Sequence, residues 1–158
     1  MLRTSWILRS LLAGLVGGVV VELYLFAVGL ASWPGTYQWI ASTLVGPRAL
    51  TASGYLWLGL ALHALVSLGW ALAYGLVGTW HPRLAAHRVA GGLTFGIAVF
   101  VAMQALLAVL GAWALPSATT LVHAIVAHTL FFGVPVALVA TAGPGGAAVK
   151  AAERPRAA

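Results

Sequence analysis

Five polar side chains interrupt four long apolar runs of this chain: Glu22 in the first, His63 in the second, Gln104 in the third, and His123 with His128 in the fourth. Ionisable groups inside a bilayer are costly and by default mark functional sites. A carboxylate among imidazoles admits three chemistries. Two neutral imidazoles on facing helices can ligate the iron of a b-type haem, and His63 with either His123 or His128 supplies such a pair. Glu22 with His63 and His128 offers the oxygen and nitrogen donors that suit zinc or another divalent metal. Glu22 and a histidine can also pass a proton between them, as a relay or beside a bound quinone. His123 and His128 are five residues apart, about 140° around a helix, so the two do not ligate one metal together without distortion. The His-Glu-x-x-His signature of zinc proteases does not occur.

Each of these residues also has a structural reading. A lone imidazole in a helix bundle more often bonds a backbone carbonyl, or here Ser67, than a cofactor. Glu22, left charged and unpaired, costs at least ~2.5–3.5 kcal/mol on insertion scales, so it requires a partner or a neutral form. Glu22, Ser67 and Gln104 then make a polar layer that holds the helices in register. Trp70 and Tyr74 follow His63 along one helix face, a spacing that reads as core packing.

The elements that position these groups follow from composition. The chain has 158 residues, 62% hydrophobic and 6% charged, against about a quarter charged in soluble proteins. Apolar windows cover about 6–31, 54–80, 89–114 and 119–141, and each reaches the ~20 residues that cross a bilayer. The expected fold is an all-α integral membrane protein, a four-transmembrane-helix bundle over residues 1–142. Counted at 1.5 Å per residue, Glu22, Gln104 and His128 lie about 3–5 Å outward of the midplane, and His63 and His123 lie further out, in the same half. Gly14, Gly18 and Glu22 share one helix face, as do Gly59, His63 and Ser67, and Gly92, Gly96, Phe100 and Gln104. Small residues at this spacing allow close helix approach, which puts the polar groups in the bundle interior. Gly17, Ala71 and Gly78 offer further close-packing faces. The outer loop, 32–53, carries Tyr37, Trp39, Ile40 and Leu44, which suggest a short interfacial helix capping the bundle. The short later connections make helices 2 and 3, and 3 and 4, antiparallel neighbours. Pro135 should kink helix 4, and 143–158 reads as a disordered cytoplasmic tail.

Charge gives orientation rather than a nucleic-acid partner. The net charge is +6, but the basic residues sit at helix ends and in the tail, with no basic stripe. Seven of the eight fall on one side, Arg48 being the exception, so both termini are expected in the cytoplasm. The tryptophans cluster at the two interfaces, in agreement. No cysteine is present, which excludes disulfides and thiolate ligands. The long first run, with Glu22 inside it, reads as a retained helix rather than a cleaved leader. Residues 13–18 resemble 91–96, and 62–67 resemble 122–127, so helices 1 and 2 could be duplicated as 3 and 4 about an axis along the membrane normal.

Four motifs carry a resemblance: Ala13-Gly14-Leu15, the helix 2 histidine followed by Tyr74-Gly75, the run Gly91 to Gly96, and Val126-Ala127-His128-Thr129-Leu130-Phe131-Phe132-Gly133. Over about residues 10–140 the chain resembles small four-helix proteins of the bacterial inner membrane. The resemblance implies that fold and that membrane, and carries over no activity. The function expected is that of an accessory or scaffolding subunit within a membrane complex or homo-oligomer, with the lipid bilayer and other membrane subunits as partners. Against it stand a haem- or quinone-linked redox role centred on the histidines, and a metal-ion or proton-coupled transporter. Enzyme catalysis has the least support, since no activated nucleophile appears.

Overall fold

The computed structural model describes residues 2–81 and 83–142 and, within them, no side chain of 2–5 or 85; the expected disordered tail lies outside the described residues. Helices α1 (Leu2–Ala27), α3 (Tyr55–Trp80) and α5 (Arg88–Val109) are three of the long apolar elements. The fourth combines α6 (Ala118–Val126), a π-helical stretch (Ala127–Gly133) and α7 (Val134–Ala140). All four are long and apolar enough to cross a membrane, where a helix is favoured because it satisfies its own backbone. Between α1 and α3 lies α2 (Gly35–Val45), followed by a 3₁₀ turn, and the four-residue α4 (Arg83–Ala86) joins α3 to α5.

Two helices end earlier than their hydropathy suggests. At the end of α1, Gly29 takes φ +73° while Leu30 N–H donates to the Leu25 carbonyl and Gly29 N–H to that of Phe26. This is a Schellman cap, which glycine enters without a Cβ penalty. Gly111, at φ +68°, closes α5 with the same pair of bonds to Leu107 and Ala108. The apolar residues beyond each cap continue outside the helix.

Small residues decide which helices touch. A Cβ added at Gly14 would lie 2.9 Å from the Leu68 Cα, and one at Gly18 3.0 Å from Ser67 Oγ, so α1 and α3 cross closely. Gly17 faces Val136 and Phe132, which seats α1 on the fourth span. Gly92 and Gly96 of α5 meet the backbone at Gly133 and at His128 and Thr129. The order around the bundle is therefore α3, α1, fourth span, α5. The α1 and fourth-span windows are 39% and 33% buried, against 17% for α3 and for α5, which makes the first and last helices the central pair. Gly17 and Ala71, expected on outward packing faces, are used inside this core, while Gly78 stands open.

The α3–α5 pairing differs from expectation. These helices meet through rings, with Trp70 and Tyr74 on Phe95 at centroid distances of 6.5 and 4.9 Å. A cleft of about 310 Å³ lies between them. Bulky side chains stand where the other crossings have glycine, so the backbones stay apart. A two-fold relating the two hairpins would match the α1–fourth-span contact with an equal α3–α5 contact, and the packing departs from that symmetry.

The kink expected at Pro135 takes the form of a wide turn. Proline lacks an N–H and crowds the carbonyl four residues earlier, and the π-helical stretch immediately precedes it. Within that stretch the Thr129 hydroxyl donates to the Ile125 carbonyl at 2.7 Å, and His128 Nδ1–H to that of Ala124 at 2.8 Å. Side chains thus bond carbonyls of the turn before.

Candidate functional site

The site is built where α1 crosses α3 near α2. Glu22 lies five residues before the end of α1, and His63 eight residues after the start of α3. From the ends of the two spans, both fall about 7–8 Å from the span midpoint, on the α2 side. Their helical faces meet at that level. The Glu22 carboxylate Oε1 stands 3.4 Å from His63 Nδ1, with the two side chains 9% and 19% exposed. The other ring nitrogen, Nε2, is 3.3 Å from the Gly18 carbonyl. Gly18 admits this approach because a side chain there would press on both Ser67 and the imidazole.

These partners fix the proton inventory. A carbonyl only accepts, so His63 Nε2 carries a hydrogen toward Gly18. One further proton between Nδ1 and Oε1 would satisfy both atoms. Imidazolium with carboxylate, and imidazole with carboxylic acid, both leave the pair neutral overall, as a low-dielectric site requires. The second carboxyl oxygen, Glu22 Oε2, is sealed from solvent and has no hydrogen-bond partner.

A lid comes from α2. Tyr37 is 6% exposed, and its ring stands edge-on to that of His63 at 6.0 Å. Gly59 permits this, since a Cβ there would overlap the Tyr37 carbonyl. Burial pushes the Tyr37 phenol above its ordinary range, and the charge of Glu22 pushes it further the same way.

Along the same crossing runs a groove of about 330 Å³. Gly14, Gly18 and Ser67 line it, Leu60, Ala64 and Phe26 give it apolar walls, and Glu22, His63 and Tyr37 supply its polar end. Leu15, Val19 and Leu23, which also line it, are exposed on the outside of the bundle, so the groove opens sideways where lipid would lie.

The remaining predicted residues are placed apart. His128, whose Nδ1 serves the Ala124 carbonyl, shares with His63 and Ser67 a chamber of about 100 Å³ between α1, α3, α5 and the fourth span. His123 Nδ1 and the Tyr24 hydroxyl share a hydrogen bond of 2.6 Å, and Tyr24 stacks on Phe131 at 4.1 Å. Gln104 Oε1 accepts Trp113 Nε1–H at 3.1 Å in an exposed contact beyond α5. Glu22, Ser67 and Gln104 therefore do not form one layer; Gln104 stands away from the other two.

The cofactor readings can be tested on these contacts. Among the described residues no three histidine, cysteine or acidic side chains gather as a metal ligand set. Both His63 ring nitrogens already face partners. The chamber between His63 and His128 is well below the ~300 Å³ at which cofactor-sized pockets begin. These residues do not fit a haem held by two imidazoles, and no chemistry is derived through one. Sequence reasoning placed Tyr37 in a helix capping the bundle but not against His63, and, outside the site, it missed Tyr24 as the partner of His123. Glycine at 59 opposite an aromatic loop was the available signal for the Tyr37 contact; Tyr24 gave none.

No family model, curated protein or solved structure matches the chain. By the composition and length of its helices it is a multi-pass, all-α membrane protein.

Proposed function

We propose that the chain is an accessory subunit of the bacterial cytoplasmic membrane, with both termini on the cytoplasmic side, that holds an amphiphilic molecule in the α1–α3 groove. The observation that carries this reading is a lipid-open apolar groove whose polar end is lined by Glu22, His63 and Tyr37. Its volume reaches the lower end of ligand pockets, and apolar walls with a few convergent polar groups are what such pockets share. Gly14 and Gly18 serve the groove as well as the crossing, because they let the ligand's apolar part lie against helix backbone.

The test is photolabelling in lipid nanodiscs with a diazirine-bearing single-chain amphiphile, followed by peptide mapping. Label concentrated on 14–26 and 60–67, and lost in Ala64→Trp, which fills the groove, is the expected result. Label spread evenly over lipid-facing residues such as Leu121, Leu130 and Val101, and unchanged in the variant, would refute the reading.

A further inference from the structure

The groove's polar end says which amphiphile it suits. Glu22 and Glu153 are the only acids of the chain, and Glu22 alone lies in a span. The groups that face the Glu22–His63 pair come from each element around it. Tyr37 reaches in from α2, Ser67 flanks His63 on α3, and His128 stands across the chamber on the fourth span. From α5 the chamber wall receives Val99 and Met103, which bring no charge. No lysine or arginine lines the groove. The acidic group presented to a groove ligand is therefore the Glu22 carboxyl, with Phe26 and Tyr37 supplying aromatic surface, and aromatic faces attract cations.

We infer that the groove binds a lipophilic cation, an ammonium carried on an apolar body, and that each cation bound releases one proton from the Glu22–His63 pair. The inference rests on the groove reading above and follows from charge balance. Before binding, the pair is neutral with one shared proton. If a cation entered and that proton stayed, the site would hold an uncompensated positive charge away from water, which is strongly disfavoured. Loss of the proton to solvent leaves carboxylate, neutral imidazole and cation, with a net charge of zero. The imidazole keeps its Nε2 hydrogen on the Gly18 carbonyl, so His63 need not move. The carboxylate gains a counter-ion in place of the proton.

The consequence is a fixed linkage. Competition between one proton and one cation tightens apparent binding about tenfold per pH unit over the range in which the empty pair keeps its proton.

The experiment compares a fluorescent single-tailed quaternary ammonium with its neutral carbon isostere, each titrated onto the protein in nanodiscs from pH 5.5 to 8.5, with empty nanodiscs as reference. Proton release is read in weak buffer with an indicator dye. Expected are tighter binding of the cation than of the isostere, the tenfold slope, one proton released per cation, and loss of preference and slope in Glu22→Gln. If that variant does not fold, slope and proton count in the unmodified protein decide. Equal, pH-independent binding of both probes, blocked by Ala64→Trp, would overturn the cation inference and leave the groove reading standing. A cation bound with no proton released overturns it too. Binding of neither probe, or binding indifferent to Ala64→Trp, would remove the groove reading itself.

Discussion

Replacing Glu22 and His63 singly and together by leucine measures what holds the site. In Glu22→Leu, His63 Nδ1 loses the group 3.4 Å away while the ring remains largely buried. An unsatisfied buried group costs about 1–3 kcal/mol. In His63→Leu the carboxyl has lost its partner at Oε1, and Oε2 has none already; the cost falls in the same range or above it. The double variant removes both polar groups and fills their space with apolar atoms, which is often neutral or stabilising. With the double variant near neutral, the coupling between the two sites equals the two single costs together, about 2–6 kcal/mol. Glu22→Gln belongs beside these, because its amide can still donate to Nδ1 and should lose less than about 1 kcal/mol. Reversible unfolding in mixed micelles by titration with a denaturing detergent, followed by the fluorescence of the seven tryptophans, reports all four. Single-variant costs that add to within about 0.5 kcal/mol would show that the two groups do not act as a pair, and the proton inventory drawn above would fall with them.

Gly96→Ala should cost about 1–3 kcal/mol by forcing α5 off the His128–Thr129 backbone, whereas Gly78→Ala, with open space around it, should stay within about 0.5 kcal/mol; equal thermal shifts would contradict the packing order. Tyr37 has its phenol pushed up by burial and by Glu22, so its neutral form stabilises the fold below the ordinary tyrosine pKa of ~10, and that contribution is lost as pH rises through the raised value. Tyr37→Phe should accordingly flatten the fall of stability above pH ~10, and an unchanged pH profile would speak against the lid. With no native cysteine, Thr51→Cys in intact cells should react with a membrane-impermeant maleimide while His87→Cys should not; the reverse pattern would invert the proposed orientation.

Depth along the membrane normal was legible in the sequence, and azimuth only in part. Composition fixed four spans, and simple counting put Glu22 and His63 in the same half of the bundle. The shared faces of Gly14, Gly18 and Glu22 on one helix, and of Gly59, His63 and Ser67 on another, pointed to the crossing that joins them. The same counting set Gln104 at a comparable depth, yet Gln104 reaches Trp113 past the end of α5. Its line of glycines stops at Gly96, and beyond Phe100 α5 has no further glycine to admit a neighbouring backbone. Helix ends were misread for a related reason: hydropathy does not distinguish a helix from an apolar interface, whereas Gly29 and Gly111 mark the caps by conformation. The π-helical stretch had a partial signal in Pro135, which implies a disturbed turn but not whether it bends or widens.

The widened turn also bears on why the histidines do not converge. His128 and Thr129 use their side chains on carbonyls one turn back, and the backbone at those same two residues is where Gly96 docks. Moving His128 toward His63 would leave the Ala124 carbonyl without its side-chain donor and disturb the closest approach of α5 to the fourth span. His123 is held as firmly on the far side by Tyr24, itself clamped against Phe131. His63 is the imidazole whose surroundings serve Glu22, because its own helix presents Gly59 to α2 and Ser67 to α1 on either side of it. The close packing that builds three of the crossings thus leaves one carboxylate–imidazole pair at the end of the groove, and the proposed function rests on that pair rather than on a cluster of histidines.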